Sequence, residues 1–186
     1  MSLIRIHEKV TLTRDCEAIE IPSGHKTTLP AGTEVTITQS LGDSFTVVTE
    51  RGYMARIDAE DADALGKEVP QVSAQGAAAQ VNKPLEELVW EALRTCYDPE
   101  IPVNIVDLGL VYGCEVTPLP EGGHRVAVTM TLTAPGCGMG DVLKADAERK
   151  IARLPGVKEV HVELVIDPPW SPERMSEVAK LQLGLL

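Results

Sequence analysis

The sequence predicts an α+β protein in which a small all-β domain precedes a mixed α/β domain. Three observations predict it. Residues 1–66 contain short runs with strand alternation, separated by glycine turns. Residues 67–82 are small and polar and show no amphipathic period, which is typical of a linker. Residues 83–186 combine helical periodicity with strand alternation. These three ranges are therefore the predicted domains and linker.

The first domain is predicted to be a small barrel. Its candidate strands cover 10–14, 17–21, 33–39, 44–50 and 53–57. Short strands at this close spacing, with Gly-containing turns between them, favour an SH3-like barrel. An acidic segment over 59–65 is predicted to form a short helix that closes it.

The second domain is predicted to have the element order α-β-β-α-β-α. An apolar stripe from Leu85 to Cys96 predicts a first helix that ends near Tyr97. Ser171 as N-cap and Pro172 at the first position predict the start of the last helix. The elements between them are predicted over 107–116, 125–132, 139–154 and 160–166, the first two as a hairpin and the last as a parallel strand. Strands with one apolar face predict a two-layer α/β sandwich.

Composition excludes some partners and compartments. The formal net charge is -11, with 28 acidic against 17 basic residues, which argues against nucleic acid as a partner. No apolar run is long enough to span a membrane, and the N-terminus lacks the apolar core of a signal peptide. The chain is therefore predicted to be cytoplasmic, with no membrane partner and with reduced cysteines.

Cys137 is the cysteine that packing does not account for. It lies in the Gly/Pro-rich loop Thr131–Gly140, between a predicted strand and a predicted helix. Backbone N–H groups and the positive helix end favour a thiolate there, although an ordinary loop cysteine is the competing interpretation. Cys96 and Cys114 fall on apolar faces and are expected to be small buried hydrophobes. Cys16 is assigned no role.

Two further stretches are unusual. Residues 98–111 place Glu100 and Asp107 around a double-proline turn, where carboxylates either cap backbone N–H groups or join a site that includes a thiol. Residues 167–172 place Trp170 beside two prolines, either as a lid on the core, which we favour, or as a contact surface.

These three stretches, in this order, resemble the SufT/PaaD-type domain family of iron–sulfur maturation proteins. The resemblance covers nearly all of residues 84–186, and the added β segment makes the chain similar to long-form SufT proteins. It implies a compact α/β domain whose reactive cysteine is Cys137, with the acidic motif on Glu100 and Asp107 and a matching Thr133. Many relatives carry proline soon after the cysteine, so Gly138-Met139-Gly140 predicts a more flexible loop here.

The resemblance also implies a function. Members assist the assembly or transfer of iron–sulfur clusters, beside scaffold or carrier proteins and apo-client proteins, and are not expected to catalyse a metabolic reaction. One cysteine cannot fill the four thiolate positions of a usual cluster. A transient cluster or iron bound by Cys137 would therefore be shared, by two chains in a homo-oligomer, by a partner or by a small thiol. The alternative is a metal-free adaptor that bridges a cluster carrier and its apo-target.

Overall fold

The chain divides into two compact units, Met1–Ala78 and Ala79–Leu186. The computed structural model describes residues 7–41, 44–69, 83–98, 101–134, 136 and 138–185. Most of the predicted linker, residues 67–82, lies outside these ranges. The predicted domain boundaries therefore stay predictions, and each unit is described by itself.

In the first unit, the described residues form a six-stranded sheet with the order β1-β4-β5-β6-β2-β3. All of its pairings are antiparallel. The strands are β1 (Glu8–Thr11), β2 (Cys16–Ile21), β3 (Lys26–Leu29), β4 (Glu34–Leu41), β5 (Ser44–Thr49) and β6 (Met54–Asp58). The SH3-like barrel stays a prediction.

The core of the first unit is aliphatic because alternate strand residues point inward. Ile37, Val47 and Ile57 are fully buried there. The sequence pattern missed β3, since three of its four residues are polar; its inward residue Leu29 pairs with Cys16. The predicted acidic helix is a 3-10 helix over Ala59–Leu65.

In the second unit, the described residues form a three-stranded sheet with the order β7-β8-β9, together with α-helices. β7 and β8 are antiparallel, whereas β9 is parallel to β8, which confirms the predicted crossover. The elements are α1 (Leu85–Leu93), β7 (Val111–Pro118), β8 (His124–Met130), α2 (Gly140–Ala152), β9 (Val157–Leu164) and α3 (Glu177–Gln182). The mixed α+β class is thus confirmed, while the two-layer sandwich stays a prediction.

Three predicted boundaries were wrong, each because of a local turn. The first helix ends at Leu93, and Tyr97 instead forms an isolated bridge with Asn104. The strand predicted from Asp107 begins only at Val111. The last helix is capped by Ser176, whose Oγ accepts a hydrogen bond from Ala179 N–H at 3.1 Å. The Ser171 signal precedes only a short 3-10 helix, Pro172–Arg174.

The described part of the chain contains no helix that is long and apolar enough to cross a membrane.

Candidate functional site

The three unusual stretches leave the sheet of the second unit at the same end. Val111, the first residue of β7, pairs with Met130 at the end of β8, and Met130 pairs with Leu164 at the end of β9. The stretch that precedes β7 and the two that follow β8 and β9 therefore start from one row of the sheet. This topology brings together segments that are about 30 residues apart in the sequence.

Thr131 joins these three stretches through hydrogen bonds. Its N–H donates to the carbonyl of Leu110 at 2.8 Å, and its hydroxyl donates to the carbonyl of Val165 at 2.7 Å. Val165 N–H in turn donates to the carbonyl of Met130 at 2.9 Å. Thr131 is buried, so these bonds are shielded from water and hold the base of the 131–140 loop in place.

Asp107 lies in a tight turn that precedes β7. Its N–H donates to Asn104 Oδ1 at 2.9 Å, and its Oδ2 accepts from Asn104 Nδ2 at 2.6 Å. Asp98 caps a backbone group, because its Oδ1 accepts from Ile101 N–H at 3.0 Å. The capping interpretation thus holds for Asp98, whereas the Asp107 carboxylate bonds to Asn104 through Oδ2, and its Oδ1 has no hydrogen bond within the described residues.

Residues 167–176 form a strap across the Asp107 turn. Trp170 Nε1–H donates to the carbonyl of Leu108 at 2.7 Å, and Ser176 N–H donates to the carbonyl of Asp107 at 2.8 Å. Tyr112 Oη–H donates to the carbonyl of Pro168 at 2.6 Å. The Arg174 guanidinium lies 4.5 Å from the centre of the Tyr112 ring, which is cation–π distance.

The strap holds the backbone that carries Asp107. Trp170 is half-buried and packs against the core of the unit, in agreement with the lid interpretation. Two backbone carbonyls of the Asp107 turn accept hydrogen bonds from the strap. Asn104, which belongs to the turn itself, bonds to the Asp107 side chain and so stabilises it further.

Helix α2 begins directly after the loop that carries Cys137, and its start is tightly packed. Met139 is fully buried, and its carbonyl accepts from Leu143 N–H at 2.9 Å. A Cβ at Gly140 would come within 2.6 Å of Leu132 Cδ1. Met139 and Gly140 therefore belong to the packed start of the helix, and the greater flexibility expected of this loop stays a prediction.

The four predicted site residues differ in what the structure describes. Cys137 and Glu100 lie outside the described residues, so their roles and their distance from Asp107 stay predictions. Thr133 is half-buried two residues beyond Thr131, and Asp107 is half-buried at the strap. The end of the sheet thus brings the loop of Thr133 and the turn of Asp107 to the same region.

Of the two described cysteines that lie in strands, Cys16 is buried and Cys114 is half-buried. Burial raises the pKa of Cys114 to about 11, with the Glu86 charge adding to it. Burial, with smaller contributions from Asp61 and other charges, raises the pKa of Cys16 to about 11 as well. Neither is a thiolate near neutral pH, which agrees with assigning them no role in the site.

Sequence reasoning missed a cluster of ion pairs on helix α2 that includes two buried charged residues. On α2, Asp146 pairs with Arg149 at 2.6 Å and with Lys150 at 3.4 Å. Lys150 Nζ also donates to the carbonyl of Thr95 at 2.7 Å, just before the stretch that leads to Asp107. The signal was present, because Asp146 and Lys150 are an i,i+4 pair beside the apolar stripe of the helix.

The match to a known protein family lies within the second unit. The family model described as iron-sulfur cluster assembly protein matches residues 86–164. A Porphyromonas gingivalis protein named Fe-S protein maturation auxiliary factor is 46% identical over 101 residues, which are 54% of this chain and 92% of that relative. This chain belongs to the iron-sulfur cluster assembly protein family.

Two further relatives have the same extent. Fe-S protein maturation auxiliary factor YitW of Bacillus subtilis is 40% identical, over 54% of this chain and 95% of that relative. Fe-S protein maturation auxiliary factor SufT of Staphylococcus aureus is 40% identical, over 47% of this chain and 96% of that relative. The family resemblance inferred from the motifs is confirmed, and it covers about half of the chain.

Proposed function

We propose that this chain is a non-catalytic accessory factor in iron–sulfur cluster assembly or transfer, with Cys137 as a shared cluster or iron ligand or as a docking thiol. One observation carries the proposal. The Asp107 turn, the base of the Cys137 loop and the 167–176 strap meet at one end of the sheet and are joined by Thr131 and Trp170. Family membership and the names of the relatives, maturation auxiliary factors, support it.

In this proposal the cluster or iron is cargo. Cys137 contributes thiolate, and Glu100, Asp107 and Thr133 shape and tune the pocket around it. Asp107 suits this role because one carboxylate oxygen is fixed by Asn104 while Oδ1 is free of hydrogen bonds within the described residues. A fixed carboxylate close to a thiol can accept a proton or ligate iron.

The proposed site is shared with another molecule. Among the described residues, no group of three or more His, Cys, Asp or Glu side chains could hold a metal ion. Because one cysteine cannot fill the four thiolate positions of a usual cluster, Cys137 would leave positions for a scaffold or carrier protein, an apo-client protein, a second chain or a small thiol. The proposed setting is the cytoplasm, where such thiols stay reduced.

Anaerobic reconstitution tests the ligand role. Cys137→Ala should lose bound iron and sulfide and should fail to support the maturation of client enzymes in cells. Cys114→Ala is the matched control, because its thiol is half-buried in β7 with a raised pKa. Equal cluster binding by wild type and Cys137→Ala, together with normal client maturation, would exclude Cys137 as a ligand.

Partner capture separates the shared ligand from the metal-free adaptor. In extract depleted of metal, a cluster-dependent factor should lose its partners, and Cys137→Ala should lose them in untreated extract too. An adaptor should keep them in both conditions. Retention in both conditions would favour the adaptor and count against the ligand role.

A further inference from the structure

We propose that the 167–176 strap and helix α3 together form a docking surface for an acidic segment of a partner protein. Arg174 of the strap and Lys180 of α3 each bind a carboxylate of that segment. The inference rests on the proposed function for the kind of partner, a client or carrier protein, but it does not need Cys137 to be a ligand. It names the chemistry by which such a partner is recognised.

Arg174 presents a guanidinium that is held in place without a charged partner. The side chain is exposed, and its Cζ lies 4.5 Å from the centre of the Tyr112 ring. Tyr112 is itself fixed, because its Oη–H donates to the carbonyl of Pro168. Within the described residues, the guanidinium makes no hydrogen bond or ion pair. A guanidinium held over a ring keeps N–H donors free and can bind a carboxylate through two parallel hydrogen bonds.

Lys180 supplies a second cation beside the first. Its Nζ donates to the backbone carbonyl of Glu173, the residue before Arg174, at 3.4 Å. In the part of the chain that the structure describes, no carboxylate lies within ion-pair distance of this ammonium, although Glu177 belongs to the same helix. An ammonium has three N–H donors, so two remain for a carboxylate.

The docking surface adjoins the Asp107 turn. The Arg174 carbonyl oxygen lies 2.3 Å from the position that a Cβ at Gly109 would take. Ser176, between the two cations in the chain, donates its N–H to the Asp107 carbonyl at 2.8 Å. A partner that binds Arg174 and Lys180 is therefore held beside the proposed site, where cargo would pass between the two proteins.

Charge complementarity favours a protein segment with a few spaced carboxylates as the occupant. The net charge of -11 repels an acidic partner in general, so such a partner docks where cations lack carboxylates of their own. Glu173 and Glu177 are exposed close to the two cations, which disfavours the dense phosphates of nucleic acid. Val178 and Leu181 of α3 are 67% and 69% exposed and offer contacts to apolar side chains of a peptide.

Titration of the full chain with a short peptide tests the docking surface. The probe is a capped peptide in which glutamate and leucine alternate, and its glutamine counterpart is the uncharged control. NMR signals of the Arg174 side-chain N–H and of Tyr112 should shift and saturate with the glutamate peptide but not with the glutamine peptide. The double variant Arg174→Gln, Lys180→Gln should weaken binding by about tenfold, because it removes two partly exposed ion pairs.

Arg94→Gln is the matched control variant. Arg94 is exposed at the end of α1 and makes no ion pair within the described residues, but no ring of those residues lies at cation–π distance from it. It should leave the affinity for the peptide unaltered. Tyr112→Phe keeps the ring and should bind as wild type does. Tyr112→Leu removes the ring that holds Arg174 and should weaken binding by about threefold.

Several results would overturn the proposal. They are the absence of a saturable shift at millimolar glutamate peptide, equal affinity of wild type and the double variant, and tighter binding of tripolyphosphate than of the peptide. Self-association that the double variant abolishes would assign the surface to a second copy and would also overturn it.

The proposed function and this inference fail in different measurements. Cys137→Ala should bind the glutamate peptide as wild type does, because the docking surface does not include the thiol. Peptide binding therefore tests the docking surface alone, whereas iron and sulfide retention by Cys137→Ala tests the ligand role alone.

Discussion

Gly109 lies where the strap crosses the Asp107 turn, and two properties make glycine necessary there. Its φ is +73°, in the left-handed region that side chains with a Cβ rarely adopt. A Cβ would also come within 2.3 Å of the Arg174 carbonyl oxygen. The absence of a side chain thus lets strap and turn approach closely enough for the Trp170 and Ser176 hydrogen bonds.

Gly109→Ala should therefore lower the free energy of unfolding by about 2 kcal/mol or more, through backbone strain and overpacking. Thermal or urea unfolding measures it. Gly113→Ala in β7 is the matched control, because its φ is ordinary and a Cβ there meets nothing within 4 Å. Equal stability of the two variants would mean that the strap yields to the added methyl group at little cost.

At the scale of single residues, the sequence marked Asp107 as a candidate but did not predict the hydrogen bonds that hold its turn. The pattern of residues 98–111 marked Asp107, and capping by Asp98 was one of its two interpretations. Thr131 and Asn104 became important only when the sheet brought their partners near: Thr131 bonds to Leu110 and Val165, which no local pattern predicts.

Helix α2 links the Cys137 loop to the residues that follow α1. Its first residue follows the Cys137 loop, and its last turn bonds through Lys150 to the carbonyl of Thr95, two residues after α1. Lys150 and Asp146 are both buried, so their pairing is poorly screened by water.

Lys150→Ala should destabilise the chain by about 2–3 kcal/mol, because it leaves buried Asp146 with less compensation and removes the bond to Thr95. Lys144→Ala, on the same helix and half-exposed, should change the free energy of unfolding by less than about 0.5 kcal/mol. Equilibrium urea unfolding of both variants measures the difference. If Lys150→Ala lowered the free energy of unfolding no more than Lys144→Ala does, the buried pair of Asp146 and Lys150 would make no net contribution to stability.

Helices and strands were predicted well where the apolar periodicity was long. Their boundaries were predicted wrongly where a turn interrupted that periodicity. β8 and α2 stand close to their predicted ranges, since apolar residues recur there over many positions. The strand expected from Asp107 was wrong because alternation continued through a turn, in which Leu110 N–H donates back to Ile105. The N-cap of the last helix is Ser176 and not Ser171, because the Ser176 side chain accepts a hydrogen bond from an amide three residues on and the Ser171 side chain does not.

At the scale of the whole molecule, each unit has its own core. The buried residues of the second unit form one cluster, and those of the first unit form another. Relatives matched over 92–96% of their length consist almost entirely of the region shared with the second unit. A domain with its own core is expected to fold alone.

Residues 83–186 expressed alone should therefore unfold cooperatively, with the helix and strand content of the intact second unit. Circular dichroism with thermal unfolding measures this, and residues 7–69 provide the parallel case for the first unit. If the fragment of residues 83–186 unfolded without a cooperative transition, or bound a dye that detects exposed apolar surface, the first unit would be needed to complete its fold.

The sequence by itself determined the mixed α+β class, the parallel crossover to β9 and the family, because periodicity and linear motifs are local properties of the chain. Only the tertiary structure decided that the three motifs meet at one end of a sheet and that Trp170 and Ser176 bond to the Asp107 turn. Those contacts join residues tens of positions apart. Strand register and packing decide them, and no stretch of sequence encodes both partners.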